Sequence, residues 1–204
     1  MNQPVPESAE IQQQKMLLRS SMRKRRRLLD TGLREQLNMA LNRRVVERLS
    51  QLQPCLVAAY LAFDGEPDLA QSFPEFLHAG FGLVLPFIES HGDTSHMVFR
   101  HWHPDDSLTR NRMGFSEPHL GENVPVSELG VILLPLVAWD EKGARLGMGA
   151  GYYDRALAAV RDFSSPLRIG IAFDVQRSDE IPTDPHDVTL HELISDSQRF
   201  TFNS

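Results

Sequence analysis

The sequence predicts an α/β fold: a mostly parallel, doubly wound (Rossmann-like) sheet with helices on both faces, preceded by two amino-terminal helices. Segments with the composition of buried strands alternate with helical segments after residue 55, and strands linked through helices pair in parallel and are covered on both faces. The chain has 204 residues and no internal repeat or low-complexity tract. We therefore expect one domain over residues 1–204, with residues 1–10 flexible.

The pattern of the first fifty residues is helical. A first helix is predicted at about residues 7–29. A second is predicted at about residues 33–49, because leucine or valine recurs there at every fourth position, which is the spacing of one helical face. Gly32 separates the two helices, and Pro54 ends the helical part.

Beyond Pro54 we predict five strands and two helices. In chain order they are a buried strand at 56–63, a helix at 68–79, strands at 81–88 and 96–102, the strongest strand at 131–139, a helix at 152–162 and a buried strand at 167–173. Residues 105–130 are polar with several prolines and glycines, which predicts loops with short turns. In such a sheet, ligands bind beyond the carboxyl ends of strands, where the chain leads into a helix.

The composition is typical of a soluble globular protein in a reducing compartment. Apolar residues make up 41% of the chain and charged residues 24%, which is enough for a buried core. The longest apolar run, residues 131–139, is too short to cross a bilayer, and no secretory signal is visible at the start. Cys55 is the only cysteine, so no internal disulfide can form. These features favour the cytoplasm and argue against a membrane partner.

Charge is distributed unevenly along the chain. Residues 15–27 contain seven basic and no acidic residues, although the net charge of the whole chain is −6. A broad nucleic-acid surface needs basic character across a whole face. One basic helix on an acidic body is better suited to binding a compact anion.

A glycine-rich segment, RLGMGAGYYD at residues 145–154, carries the clearest functional signal. Its three glycines alternate between a buried strand and the start of a helix. Backbone without Cβ atoms can turn its N–H groups toward a bound oxyanion at close range. Arg145 could clamp a phosphate through two hydrogen bonds, and Asp154 could hold a magnesium ion against phosphate oxygens.

Each of these features also has a purely structural explanation. Glycines after a strand often form only a tight turn, an aspartate in a first helical turn is often a dipole partner, and paired tyrosines are often core residues. The combination at these spacings is more specific than its parts. It matches neither a Walker loop, which needs Gly-Lys-Ser/Thr, nor the dinucleotide fingerprint.

Segment 145–154 resembles the signature of the 5-formyltetrahydrofolate cyclo-ligases, also called methenyltetrahydrofolate synthetases. The preceding LPLVAWD at residues 134–140 and the following Arg155 fit as well, and the resemblance extends from Lys15 to about Ile194. It implies an enzyme that uses ATP and Mg²⁺ to convert 5-formyltetrahydrofolate to 5,10-methenyltetrahydrofolate, with release of ADP and phosphate.

The resemblance implies how ATP is bound. Lys15 and Arg19 resemble the family's phosphate contacts near the amino terminus, and their i,i+4 spacing places both on one side of a helix. Arg145 would be the catalytic residue and would stabilise charge on the transferred phosphoryl group. Many members carry a basic residue at Met148 or Ala150, whereas this chain does not. The expected ATP-binding residues are Lys15, Arg19, Arg145, Gly147, Gly149, Gly151 and Tyr153.

Glu66 lies in the sequence Phe-Asp-Gly-Glu-Pro, where Asp-Gly predicts a turn and Glu66 could be only a solvated neighbour. The resemblance places Glu66 on the folate, where its carboxylate can accept hydrogen bonds from the pterin's ring N–H and amino donors. Pro86 and Pro118 would lie near the same pocket. The expected folate-binding residues are Phe63 as an apolar wall, Glu66, Glu117, Met148 and Tyr152.

A carboxylate pair is the expected magnesium site. By resemblance, Asp187 joins Asp154 as a ligand of the metal or of its waters, and Asp184 competes for the same role. His186 and His191 lie close by in the sequence, but their spacing fits no common zinc pattern.

Two other function classes stay open. One is a different phosphoryl-transfer enzyme on the same scaffold. The other is a non-catalytic nucleotide- or RNA-associated relative that uses the basic residues at 23–27 on polyanions. We expect small-molecule partners, a reduced folate and ATP, rather than nucleic acid.

Overall fold

The computed structural model describes residues 7–92, 94–160 and 166–202. Helix α1 spans Glu7–Arg27 and α2 spans Thr31–Leu49. The side chain of Asp30 caps α2 by accepting a hydrogen bond from the Leu33 N–H at 2.9 Å, which satisfies a helix-end donor. The expected flexibility of residues 1–10 and the single-domain boundary stay predictions, since residues 1–6 lie outside the described ranges.

Twelve strands and two further helices follow the amino-terminal helices in the described ranges. The strands are β1 Leu56–Ala58, β2 Gly82–His91, β3 Thr94–His101, β4 Leu108–Arg110, β5 Ser116–Pro118, β6 Asn123–Val124, β7 Leu129–Pro135, β8 Ala138–Trp139, β9 Arg145–Leu146, β10 Leu167–Ile171, β11 Glu192–Ile194 and β12 Arg199–Thr201. The helices are α3 Phe73–His78 and α4 Tyr152–Leu157.

Eight strands form one sheet in the order β12-β11-β10-β7-β1-β2-β3-β6. Its five central strands, from β11 to β2, are parallel, whereas β12, β3 and β6 pair antiparallel at its edges. β4 pairs with β5 and β8 with β9 in two separate ribbons. The predicted α/β fold with a mostly parallel sheet is confirmed.

The sheet is buried on both faces, as the apolar composition of β7 requires. Val131 and Leu133 belong to a core shared with α2 and α3, while Ile132 and Leu134 belong to the core under α4. Helix α1 lies beside the β8–β9 ribbon, where Met22 packs in a smaller apolar cluster. No helix in the described ranges is both long enough and apolar enough to cross a bilayer.

Two predicted strands are shorter than expected. The strand predicted at 56–63 ends at Ala58, because the apolar residues after it leave the sheet to line the core and a cavity. The strand predicted at 131–139 is divided into β7 and β8. Pro135 ends β7, since proline cannot donate to a ladder, and β8 turns away to pair with β9.

Other predicted boundaries need correction. Residues 105–130 contain β4, β5, β6 and the start of β7, and β11 and β12 were not predicted; strands of two or three residues are too short to show a periodic pattern. The helix predicted at 68–79 is a 3₁₀ turn followed by α3. The helix predicted at 152–162 ends at Leu157 with a 3₁₀ turn to Val160, and residues 161–162 lie outside the described ranges.

Candidate active site

A cavity of about 510 Å³ opens beyond the carboxyl ends of β1 and β7, where an α/β sheet binds its ligands. Helix α1, the 145–154 segment and the β4–β5 ribbon form its walls. Pro118 is the one expected pocket residue that the described lining leaves out. The structure brings all the other expected residues together in this lining, although their roles stay predictions. They are Lys15, Arg19, Phe63, Glu66, Pro86, Glu117, Arg145, Gly147, Met148, Gly149, Gly151, Tyr152, Tyr153, Asp154, Asp184 and Asp187.

The glycine segment has a backbone that only glycine adopts without strain. Gly149 and Gly151 have φ values of 103° and 65°, which side chains rarely tolerate. A Cβ atom at Gly149 would lie 3.4 Å from the guanidinium carbon of Arg19, and one at Gly151 would lie 2.9 Å from Nη1 of Arg155. The positive φ values therefore require glycine at these two positions, and the arginines pack close to the bare backbone.

Arg145 and Asp154 form an ion pair on this wall. Arg145 lies in β9 and is 6% exposed, and its Nη2 donates to Oδ1 of Asp154 at 2.6 Å. Its Nε is buried and has no hydrogen-bond partner among the described residues. A buried donor without a partner costs about 1–3 kcal/mol, so an oxygen atom of a ligand at this point would be stabilising.

Lys15 of α1 forms a second charged cluster. Lys15 is 3% exposed, and its Nζ donates to Oδ2 of Asp184 at 2.7 Å and to Oδ2 of Asp187 at 2.5 Å. Burial lowers the pKa of Lys15, but the two hydrogen bonds and the two carboxylate charges outweigh burial and raise it. The lysine is therefore held as a cation in the cavity wall.

Arg19 lies one turn after Lys15 and contacts the glycine segment directly. Its Nε donates to the carbonyl oxygen of Gly147 at 2.9 Å. Burial lowers the pKa of Arg19 from its ordinary value, partly offset by the charge of Asp187. Helix α1 thus presents both predicted phosphate contacts to the cavity, at the side where the glycine backbone runs.

The two aspartates of the expected metal site each keep one oxygen open. Hydrogen bonds from described residues reach Asp154 only at Oδ1 and Asp187 only at Oδ2. Residues 7–92, 94–160 and 166–202 contain no group of three or more His, Cys, Asp or Glu side chains that could hold a metal alone. Mg²⁺ binds through one or two carboxylates together with phosphate oxygens and waters, so this pair fits that ion.

His191 lies away from this wall. Its Nδ1 accepts a hydrogen bond from the Arg168 N–H at 3.0 Å, beside β10. Burial and the charge of Arg168 lower the pKa of His191. The imidazole is therefore engaged with Arg168 of the central strand β10 rather than with Asp184 and Asp187.

Glu66 lines the same cavity and is 7% exposed. Burial raises its pKa to about 7, opposed by the charge of Arg26 and by a hydrogen bond from the Phe63 N–H. That N–H donates to Oε2 of Glu66 at 3.1 Å. The carboxylate is therefore held in place and can accept protons or N–H donors near neutral pH.

Aromatic and apolar side chains line the cavity beside Glu66. The rings of Phe63 and Phe115 meet edge to face with centroids 4.6 Å apart. Glu117 accepts hydrogen bonds from the Ile88 N–H at 3.3 Å and from Nδ2 of Asn111 at 2.9 Å. Glu117 therefore joins the β4–β5 ribbon to β2 and fixes this wall.

Several lining residues were not anticipated from the sequence. They carry no charge pattern or motif, and three of those named below lie in the segment predicted to be a loop; only the apolar residues within that polar segment could have indicated a buried wall. They include Tyr60, Ile88, Met97, Asn111, Met113 and Phe115.

The cavity lining combines charged residues around Arg145 and Lys15, named the charged end, with apolar residues around Phe63 and Phe115, named the apolar end. Such a lining suits an enzyme that acts on two small molecules, one polyanionic and one flat and aromatic. Comparison with known proteins then identifies the family. The model of the 5-formyltetrahydrofolate cyclo-ligase family matches residues 11–196, and the chain belongs to that family, which confirms the resemblance seen in the sequence.

Relatives and solved structures agree with this assignment. A 5-formyltetrahydrofolate cyclo-ligase of Escherichia coli (strain K12) is 31% identical over 87% of this chain and 97% of its own. The enzyme of Haemophilus influenzae is 32% identical over 89% of this chain and 97% of its own. The structure of a 5,10-methenyltetrahydrofolate synthetase from Mycoplasma pneumoniae is similar with a TM-score of 0.72, at 27% identity over 89% of this chain and 98% of that one. The Aquifex aeolicus synthetase has a TM-score of 0.75, at 29% identity over 93% of both chains.

Proposed function

We propose that this chain converts 5-formyltetrahydrofolate to 5,10-methenyltetrahydrofolate with ATP and Mg²⁺, releasing ADP and phosphate. One observation supports the proposal: the Arg145–Asp154 pair and buried Glu66 line a single cavity. Two substrates bound beside these groups would meet inside that cavity. Proximity of this kind supplies a large part of a two-substrate rate enhancement.

The chemistry needs activation of the formyl oxygen. Direct attack by N10 on the formyl carbon would have to expel oxide or hydroxide, which is a poor leaving group. Transfer of the γ-phosphoryl group of ATP to that oxygen gives an iminium-like phosphate. N10 then attacks the carbon and loses its proton, the carbon–oxygen bond breaks, and phosphate leaves as the five-membered ring closes.

The charged end supports the phosphoryl transfer. Lys15, Arg19 and the backbone of the glycine segment face the position proposed for the triphosphate. As the catalytic residue, Arg145 stabilises charge on the moving phosphoryl group with its guanidinium, an interaction worth several kcal/mol in comparable sites. Mg²⁺, held by Asp154 and Asp187, would neutralise phosphate charge.

The apolar end supports folate binding. The carboxylate of Glu66 accepts hydrogen bonds from the pterin's N–H donors, and the Phe63–Phe115 pair packs against the ring. We propose that the formyl group and the last phosphate meet beside Tyr152, Tyr153 and Met148, which also line the cavity. Tyr153 binds on the ATP side in this account, and Glu117 supports the wall on the folate side.

The cytoplasm is the proposed location. A lone, half-buried Cys55 and the use of ATP fit a reducing compartment. The proposed partners are the two small-molecule substrates.

The direct test mixes protein, ATP, Mg²⁺ and 5-formyltetrahydrofolate and follows the absorbance of the methenyl product. We expect product only when all components are present, with none after chelation of the metal. Binding of ATP without any binding of folate would favour another phosphoryl-transfer enzyme. Steeply salt-dependent RNA binding without turnover would favour the RNA-associated class.

A further inference from the structure

Among the basic residues at 23–27, Arg26 is buried, whereas Lys24, Arg25 and Arg27 are exposed. Three of the basic residues at 23–27 converge on one carboxylate: Asp64 accepts hydrogen bonds from Arg23 Nε at 2.8 Å, from Arg26 Nη2 at 3.2 Å and from Arg27 Nε at 2.6 Å. Arg26 has no exposed surface. A buried guanidinium makes such contacts only where the surrounding geometry fits its fixed donors.

Arg26 also binds two backbone carbonyls. Its Nε and Nη2 donate to the carbonyl oxygen of Asp64 at 3.2 and 2.9 Å, and its Nη1 donates to that of Leu136 at 3.3 Å. Leu136 directly follows Pro135, which lines the cavity at the end of β7. One side chain of α1 therefore joins the loops that follow β1 and β7.

The loop after β1 is a tight turn over residues 63–66. The N–H of Glu66 donates to the carbonyl oxygen of Phe63 at 3.0 Å. The two central residues of the turn, Asp64 and Gly65, have φ values of 53° and 76°, as in a turn with both central residues left-handed. Asp64 is the one described residue other than glycine with a positive φ.

The turn determines where two lining residues point. Phe63 and Glu66 are its outer residues, and both face the cavity. The left-handed conformation of Asp64 costs more free energy than the backbone of an ordinary turn. The hydrogen bonds from the arginines offset that cost. The contacts from α1 to Asp64 therefore stabilise the one backbone arrangement in which the Glu66 side chain returns to the Phe63 N–H.

We propose that Arg26 and Asp64 are positioning residues for the folate: buried Arg26 holds the Asp64 turn so that Glu66 and Phe63 present a fixed surface to the pterin. This inference rests on the proposed function and gives the basic cluster a role that the phosphate end does not need. The charge of Arg26 also faces Glu66 and opposes the effect of burial on the pKa of that carboxyl.

A purely structural role is the competing explanation, because removal of any buried arginine destabilises a fold. Arg48 provides a matched control. Its guanidinium makes two hydrogen bonds to Glu192 of β11, at 2.8 and 2.7 Å, and neither residue lines the cavity. Arg48→Met thus removes a comparable ion pair at a distance from both substrates.

The experiment measures KM for folate and for ATP in Arg26→Met, Arg48→Met, Glu66→Gln and the double variant with both Arg26→Met and Glu66→Gln. We expect Arg26→Met to raise the folate KM about tenfold, with the ATP KM within about twofold of wild type, and Arg48→Met to leave both within about twofold. Because Arg26 acts through Glu66, the double variant should have the folate KM of Glu66→Gln alone.

Equal increases in both KM values, or a double variant with fully additive losses, would overturn the inference. If Arg26→Met does not fold, Arg26→Lys and Asp64→Asn replace it, and each should raise the folate KM alone by about threefold or more; unchanged folate KM in both would also overturn it. Wild-type protein without turnover would overturn the proposed function and this inference together, whereas active wild type with an unaffected Arg26 variant would overturn the inference alone.

Discussion

Nη2 of Arg145 lies 2.6 Å from Oδ1 of Asp154, so the cation proposed for phosphate and a carboxylate proposed for magnesium are each other's partners. Lys15 repeats this arrangement with Asp187 at 2.5 Å. Each pair keeps its two charges neutralised before a ligand arrives. Binding of magnesium and ATP would let the carboxylates turn to the metal while the cations turn to phosphate oxygens.

The pairing predicts that ATP and Mg²⁺ bind together far better than either binds alone. ATP without metal meets the charges of Asp154 and Asp187, and the metal without ATP meets those of Arg145 and Lys15. Calorimetric titration should show ATP affinity at least about tenfold weaker in the presence of a chelator. Equal affinities with and without magnesium would contradict the proposed exchange of partners.

Arg145→Ala should nearly abolish turnover while the protein stays folded. The variant loses the donor proposed to stabilise the transferred phosphoryl group, and kcat/KM for both substrates reports that loss. Arg177→Ala is the control, since Arg177 pairs with Glu141 and does not line the cavity. A variant at position 145 that keeps more than about a tenth of wild-type kcat/KM, a loss below ~1.4 kcal/mol, would remove Arg145 from the catalytic role.

Asp154→Asn and Asp187→Asn should each raise the magnesium concentration needed for half-maximal activity, by about tenfold. Asp184→Asn is the matched comparison, because Asp184 contacts the same Lys15 nitrogen. A magnesium titration that shifts for Asp184→Asn but not for Asp187→Asn would make Asp184 the ligand. An unchanged titration for Asp154→Asn would exclude Asp154 from the metal site.

Glu66 should make stability depend on pH. Burial raises its pKa from 4.5 to about 7, so the folded protein retains a proton that the unfolded chain loses. This contribution is fully present below pH ~4.5 and is lost as pH rises toward ~7. Relative to Glu66→Gln, the free energy of unfolding of the wild type should fall by about 2–3 kcal/mol between pH ~5 and ~8.

Denaturant unfolding at several pH values measures this difference, and a constant difference would contradict the buried ionisation. The neighbouring groups do not change this difference between pH ~5 and ~8, because arginines and buried tyrosines do not titrate in that range. Burial raises the pKa of Asp64, but its arginine partners outweigh burial and lower it. The charged and titratable groups that face Glu66 are Arg23, Arg26, Tyr60, Asp64 and Tyr153.

The sequence was informative where the site is local. Segment 145–154 carries its glycines, its arginine and its aspartate within ten residues, so spacing alone indicates a phosphate-binding turn. The resemblance to the family indicated Lys15 and Arg19 as phosphate contacts, and their i,i+4 spacing predicted that both lie on one side of a helix. Both predictions concern geometry that one secondary-structure element sets.

What the sequence left open depends on long-range packing. Lys15 meets Asp184 across 169 positions, and no periodic pattern relates such residues. One wall of the cavity comes from β5 and the turn between β4 and β5, strands of three residues each. Glu117 and Phe115 join this wall to the distant residues Ile88 and Phe63. The inward direction of Arg26 likewise follows from the turn at Asp64, which the run of basic residues does not reveal.

In the proposed reaction, the last phosphoryl group of ATP moves onto the formyl oxygen of the folate. Heavy-oxygen label placed in the formyl group of 5-formyltetrahydrofolate tests this transfer in a single reaction, with mass spectrometry of the released phosphate. We expect one labelled oxygen in each phosphate and one methenyl product for each ADP. Unlabelled phosphate, with the label recovered in water, would contradict it.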